Sequence, residues 1–230
     1  MAVTLVDAMS VNSATNTSTL TLTTASFTPG VGELIIVKAA IENSYTTFDD
    51  PTTTGGGITW TKQYEAAVAN TCVATIWSGL VTVGGSGITV SLKTVGGSSN
   101  AWTSMVVERW TGAQLAVSPA IGYLSGQSTT TTMTTTGTGS VISYVDGDWN
   151  AITPGTPVYA SGAIQENIHD KSPSVYVAYY AYQAAPTAGT QTFGLTAPTN
   201  RVDTLLGIEI QAIAAAAIVN HSLMTLGVGV

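Results

Sequence analysis

Glu33-Leu-Ile-Ile-Val-Lys-Ala-Ala-Ile41 and Ser104-Met-Val-Val-Glu-Arg-Trp110 decide the fold. Each is an apolar run of strand length, as expected of a strand covered on both faces. The second half answers both, with Ser140-Val-Ile-Ser-Tyr-Val145 and Leu205-Leu-Gly-Ile-Glu-Ile210. Other segments recur in the same order. Ala2-Val-Thr-Leu-Val-Asp-Ala8 is echoed by Ala116-Val-Ser-Pro-Ala-Ile-Gly122, and Thr75-Ile-Trp77 by Ala178-Tyr-Tyr180. Gly87-Ile-Thr-Val-Ser-Leu92 is matched by Gly189-Thr-Gln-Thr-Phe-Gly-Leu195. The offset drifts from about 114 to about 101 residues, so the copies differ in their loops. A repeat near that length is a small domain rather than a solenoid unit. The expectation is an all-β chain of two similar tandem β-sandwich units, jelly-roll or immunoglobulin-like, from an internal duplication. The units span residues 1–115 and 116–211, and residues 212–230 form an apolar tail. Two separate sandwiches are expected, with one shared core as the alternative.

Between the repeats the chain reads as short strands and turns. Val3 to Val6, Thr19 to Phe27, Thr59 to Tyr64, Cys72 to Val81 and Gly87 to Thr94 are strand candidates in the first half. In the second, Val158 to Gln165 precedes a polar loop from Glu166 to Pro173, and Ser174 to Tyr182 is a strand with four tyrosines. By parity Tyr176, Tyr180 and Tyr182 share one face and Tyr179 takes the other. No segment before residue 205 has a helical period.

Composition fits a strand-rich body. The chain has 39 Thr in 230 residues, and Thr suits pleated surfaces through its branched Cβ. Only 8% of residues are charged, against about 25% in an ordinary domain. Mean hydropathy is +0.30, so much of the surface is neutral or covered by neighbours. A net charge of -7 without a Lys/Arg cluster argues against nucleic-acid binding. Cys72 is the sole cysteine, so no internal disulfide forms; it reads as a small buried hydrophobe. The start lacks a basic, apolar leader, so no signal peptide is read there, and no apolar run reaches membrane-spanning length.

The tail from Ala212 to Val230 carries no charge. Left in water it would expose an apolar strip, so it is expected to dock on a neighbouring subunit, with docking on its own domain as the alternative. The candidate contact residues there are Ile213, Ile218, Val219, Leu223, Met224 and Leu226. Tyr176, Tyr180 and Tyr182 are the other candidates. His221 reads as a packed residue rather than a ligand.

Catalytic motifs are sparse. The sequence holds no Gly-x-Ser-x-Gly elbow, phosphate-binding Gly loop or His-Glu-x-x-His. Asp146-Gly-Asp148-Trp-Asn150 has the spacing that opens a calcium loop but lacks the later Glu, so it reads as an Asx-type turn. Asp49-Asp50-Pro51 occupies the matching loop of the first copy. Glu108 and Glu209 fall at equivalent places and read as outward polar positions, since repeats of each other do not face one another across a cleft. His169-Asp170 reads as part of a mobile surface loop. No catalytic residue, cofactor or metal is expected.

Several segments carry a resemblance: Thr28-Pro-Gly-Val-Gly-Glu-Leu-Ile-Ile-Val37, Thr59-Trp-Thr61, Ala74-Thr-Ile-Trp-Ser-Gly79, Val106-Val-Glu-Arg-Trp-Thr-Gly-Ala113, and Gly137-Thr-Gly-Ser140 with Asp146-Gly-Asp-Trp149. Over roughly residues 18 to 210 the chain resembles duplicated β-sandwich structural proteins of tailed bacteriophages. The resemblance implies a virion component, either a capsid decoration or a minor tail protein. It implies homo-oligomers, other virion proteins as partners, and synthesis in the host cytoplasm. The alternative is a carbohydrate-binding sandwich recognising a host glycan, with Trp60, Trp102, Trp149 and the tyrosine strand stacking on sugar rings.

Overall fold

The computed structural model describes residues 2–17, 19–42, 47–67, 72–96, 101–116, 121–126, 129–148, 156–171, 176–199 and 201–213. The first half contains β1 (Thr4–Asn12), β2 (Thr21–Thr23), β3 (Leu34–Ile41), β4 (Thr47–Phe48) and β5 (Thr52–Thr53). It continues with β6 (Gly57–Ala67), β7 (Val73–Val83), β8 (Val90–Val95) and β9 (Thr103–Thr111). The second half contains β10 (Ala113–Gln114), β11 (Ile121–Gly126), β12 (Thr130–Thr135), β13 (Ser140–Asp148) and β14 (Val158–Tyr159). It ends with β15 (Ile164–Asp170), β16 (Val177–Ala185), β17 (Gly189–Ala197) and β18 (Asp203–Ala212). Among the described residues the one helical element is a 3-10 turn at Ala160–Gly162, so the fold is all-β.

Both halves use one strand order. The large sheet runs β1-β9-β3-β7-β6 in the first half, and β11-β18-β13-β16-β15 in the second, where β10 pairs the far end of β18. The small sheets match as well, β2-β8-β4 against β12-β17-β14, with β5 also on β8. Every pairing is antiparallel.

Strand period 2 explains the long apolar runs. In β3, Ile35, Val37, Ala39 and Ile41 face the first small sheet, where Leu22, Phe48, Val90 and Leu92 meet them. Leu34, Ile36 and Ala40 point the other way and meet the second large sheet at Val145, Tyr180, Leu206 and Ile208. The second half has its own interior around Ile142, Tyr144, Phe193 and Leu205. The result is four layers, small-large-large-small, with three apolar interiors. Each half therefore has its own core, and the two large sheets share a third. Each fully buried Ile or Leu in this central seam contributes about 1.5–3 kcal/mol by removal from water.

Local packing follows side-chain size. Gly122 pairs Gly207 across β11 and β18, and a Cβ on either would come within 2.5–2.6 Å of the Phe193 ring. Two glycines thus make the slot that lets Phe193 fill the second interior. At the other end of β18, Ala212 pairs Ala113, and the Ile213 N–H donates to Gly112 O at 2.9 Å. The first residues of the expected tail therefore belong to the sheet. Ile213 is 37% exposed. Ile218, Val219, Leu223, Met224, Leu226 and His221 lie outside the described residues.

Candidate functional site

The chemistry of this chain concentrates in the seam between its large sheets. Two β-bulges fix how the halves correspond. In β6 the extra residue is Gln63, between the partners of Trp77 and Ile76; in β15 it is Glu166, between the partners of Ala181 and Tyr180. Ile76 therefore corresponds to Tyr180. Following the ladders across, Lys38 corresponds to Val145, Val106 to Leu206, Glu108 to Ile208 and Arg109 to Glu209. The seam contacts are reciprocal in this correspondence, as in an isologous interface. Ser104 Oγ lies 2.8 Å from Tyr180 Oη and 3.4 Å from Tyr176 Oη. Its counterpart Thr204 donates to the carbonyl of Cys72, the counterpart of Tyr176, at 3.0 Å. Gly147 lies against its own counterpart Ala40, where an added Cβ would sit 3.7 Å from that of Ala40 and 2.9 Å from that of Cys72.

At one end of the seam lies a buried ionic cluster. Lys38 Nζ donates to Glu108 Oε1 at 2.7 Å, to the Ala181 carbonyl at 3.2 Å, and to Glu166. Glu108 also accepts from Ser143 Oγ at 2.8 Å and from the Trp110 indole N–H at 3.0 Å. Lys38 and Glu108 come from the first half, Ser143 and Glu166 from the second. The bulge turns Glu166 out of the alternation and into the seam. Burial alone would lower the Lys38 pKa, but the charges of Glu108 and Glu166 outweigh it and leave it raised. Glu166 is pushed up to about 8 by burial and then by Glu108, against the pull of Lys38. Tyr182 packs edge-on to Trp110 at 5.4 Å and closes this end.

A second cluster lies inside the second half. Arg201 donates to Asp203 Oδ1 at 2.9 Å and to Asp146, with Asp148 at 3.8 Å. Its guanidinium lies 4.9 Å from the Tyr179 ring centre. Burial, and next the Asp146 charge, pushes Asp203 up to about 9. Burial also raises Asp146 against the attraction of Arg201. Asp146 and Asp148 are therefore not turn residues, as their sequence spacing suggests. They lie in β13, alternate with Gly147 and point inward at Arg201, the cation the sequence pattern did not reveal. Among the described residues no group of three or more His, Cys, Asp or Glu is arranged to hold a metal. Asp50, in the other matching motif, accepts the Trp77 indole N–H at 3.1 Å.

Other sequence expectations change for the same reason, burial. Glu108 and Glu209 are both buried, not outward, and are not equivalent. Glu108 faces the seam. Glu209 faces away from it and accepts from the backbone N–H of Gly137 at 2.8 Å and from Ser140 Oγ at 2.7 Å. Burial pushes the Glu209 pKa up, but these donors outweigh it and leave it lowered. His169 is not in a mobile loop. It lies buried in β15, edge-on to Tyr176 at 5.6 Å and to Trp102 at 6.2 Å. Burial, and then Lys171, lowers its pKa to about 4.

The tyrosine parity holds: Tyr176, Tyr180 and Tyr182 face the seam and Tyr179 the second interior. Their expected role as partner contacts does not hold for Tyr176 and Tyr180, which are fully buried against the chain's own first half. Tyr182 is half-buried on Trp110. Nor do these rings form an exposed platform for sugars. Trp60 is packed against the first interior, Trp102 is covered by Lys171 at 4.4 Å, and Trp149 lies outside the described residues.

The opposite end of the seam is open. A cleft of about 460 Å³ lies between β6, β7 and the strand-to-strand passage at Gln114–Ala116. Thr59 and Thr61 stand opposite Leu80 and Ser78, and Gln63 Nε2 donates to Ser78 Oγ at 2.8 Å. The ionic clusters are buried. The cleft is open to solvent, as is a smaller one of about 260 Å³ beside Asp49, Asp50 and Lys93. Comparison with known protein-family models, curated proteins and solved structures found no match.

Proposed function

We propose that this chain is a non-enzymatic structural protein of a tailed-phage virion, built from two copies of one sandwich and assembling through neutral strand surfaces and its C-terminal segment. One observation carries the reading: of 19 charged residues, eight are buried. These are Glu33, Lys38, Glu108, Asp146, Asp148, Arg201, Asp203 and Glu209. The outer surface is thus poorer in charge than the composition alone implies. A free-standing soluble domain usually carries 25–35% charged residues on its surface. A surface of Thr, Ser and Gly with isolated Val and Leu meets neighbours at little ionic desolvation cost. The four-layer block also gives a rigid unit suited to a shell or a ring, as a capsid decoration or a minor tail protein.

The test is the solution mass of the full chain by multi-angle light scattering across a hundredfold range of concentration, beside a chain ending at Ile213. Truncation there keeps β18 whole. Assembly of the full chain into one closed species, lost on truncation, is the expected result. A monomer at every concentration would remove the support for assembly through this chain's own surfaces.

A further inference from the structure

We propose that the open end of the seam is a binding site for an uncharged saccharide. The two ends of the seam are the same place in the two halves. At the closed end Tyr182, Glu166 and Lys38 fill the space. At the open end the residues corresponding to Tyr182 and Glu166 are Ser78 and Gln63, both smaller or uncharged. A hydroxymethyl in place of the phenol and an amide in place of the buried acid leave the cleft of about 460 Å³. That volume is within the range of small-ligand sites, about 300–1,000 Å³, and holds about one or two sugar rings.

The lining selects the ligand class. Thr59, Thr61, Gln63, Ser78 and Gln114 present hydroxyl and amide groups, and Leu80 supplies an apolar wall. Hydroxyls and amides both donate and accept, which matches a ligand bearing many hydroxyls. Among the described residues no Lys, Arg, Asp, Glu or His lines the cleft, so a charged ligand would lose its hydration without a counter-charge. A wholly apolar ligand would strand the hydroxyls without partners. An uncharged sugar satisfies both constraints, placing C–H faces on Leu80 and hydroxyls on Thr and Gln. Thr59 and Thr61 project from alternate positions of β6, an edge strand, so the polar groups are spaced along a rigid element rather than a loop.

The experiment is titration calorimetry of the full chain with lactose, maltose and chitobiose, each to tens of millimolar. At least one disaccharide should bind. Ser78→Tyr, which copies the closed end, should weaken binding by about tenfold or more. Thr61→Val keeps shape on an exposed position, removes one hydroxyl, and should weaken binding by about fivefold to tenfold without moving the thermal midpoint. If Ser78→Tyr does not fold, Thr61→Val decides. Failure of all three sugars to bind would overturn the proposal, as would binding unchanged by both substitutions. Neither result depends on the oligomeric state, so the proposal can fail while the assembly reading stands.

Discussion

Replacing Lys38 by Met is the sharpest probe of how the two halves are joined. Lys38 is fully buried and neutralises two carboxylates, Glu108 at 2.7 Å and Glu166. Met fills similar volume but carries no charge. Two buried acids would then face each other without a cation. Breaking a buried ionic cluster this way costs about 3–5 kcal/mol. That is a large part of the about 5–15 kcal/mol that holds a typical domain together. The cost must depend on pH, and its direction is fixed. In the native protein Glu166 already titrates near 8, against 4.5 for an ordinary Glu. Without Lys38 it holds its proton more strongly still. A group with a raised native pKa favours folding below its unfolded pKa and loses that advantage as pH rises toward the native value. Below about pH 8 Glu166 keeps its proton in both proteins, so the cost of Lys38→Met should grow as pH rises above about 8, where native Glu166 ionises beside Lys38 and the variant has no cation to receive that charge.

Urea unfolding followed by tryptophan fluorescence measures this directly, since Trp110 donates to Glu108. The unfolding midpoint and slope at pH 6, pH 8 and pH 9.5 give the costs on both sides of the Glu166 titration. A companion variant, Lys38→Met with Glu108→Gln and Glu166→Gln, removes all three charges and keeps acceptors for Ser143 and Trp110. It should recover most of the loss at pH 8. A cost below about 1 kcal/mol at pH 8, or a cost that shrinks as pH rises, would refute the reasoning.

Other outcomes follow from the same geometry. His169 falls from 6.5 to about 4 on folding, so the native state loses up to about 3 kcal/mol as pH drops from 6.5 to 4; His169→Phe should flatten an acid titration of the unfolding free energy in that window. Gly147→Ala places a methyl 2.9 Å from Cys72 Cβ, so it should cost about 1–3 kcal/mol in urea unfolding, whereas Gly139→Ala meets no atom within 4 Å and is opposed only by its positive φ. Cys72 is buried and its thiol pKa is pushed well up, chiefly by burial, so a thiol reagent should modify it only in denaturant. Glu209→Gln removes the carboxylate that accepts from Gly137 and Ser140; it should cost about 1.5–3 kcal/mol at pH 7, and the difference from the native chain should shrink as pH falls below 4.5.

The layout of this fold is written in period and turn. The apolar runs at 33–41 and 104–110 are the central strands, and the parity of Tyr176, Tyr180 and Tyr182 gives their face correctly. The likeness of the halves, read from short segments, coincides with one strand order used twice. What the sequence hid is register. Matching Val-Val-Glu-Arg-Trp110 to Leu-Gly-Ile-Glu-Ile210 by their Glu residues slips the true correspondence by one position. In a strand a slip of one changes the face. Glu108 thus went unrecognised as a seam residue, and Glu209 as the staple of the turn at 137–140. Two signals were available. Lys38 interrupts an otherwise apolar run, and a lone cation there requires a buried acid. Asp146 and Asp148 imply the same of a cation, but Arg201 lies 55 residues from Asp146, and spacing alone could not join them. The strand β15 was hidden because its residues, Gln165-Glu-Asn-Ile-His-Asp170, are polar, and its bulge breaks the alternation.

A chain with only 19 charged residues still buries eight, and stability alone does not explain it. Buried ion pairs rarely surpass well-packed apolar side chains in stability. Much of the rest of the seam is Val, Ile, Ala and Leu, whose contacts change little if one sheet slides by two residues on the other; the Ser104–Tyr180 and Thr204–Cys72 hydrogen bonds are the other contacts that depend on alignment. The Lys38 cluster does change: Lys38 meets Glu108 within its own sheet, but Glu166, Ser143 and the Ala181 carbonyl are reached in one alignment alone. The cluster therefore acts with those hydrogen bonds to select the register of the seam, and with it the open cleft at the far end. This is a hypothesis, and the charge-free companion variant tests it. That variant should stay close to native stability yet show extra or broadened amide signals along β6 and β15 in two-dimensional NMR. One sharp set of signals matching the native spectrum would mean that apolar packing alone sets the register.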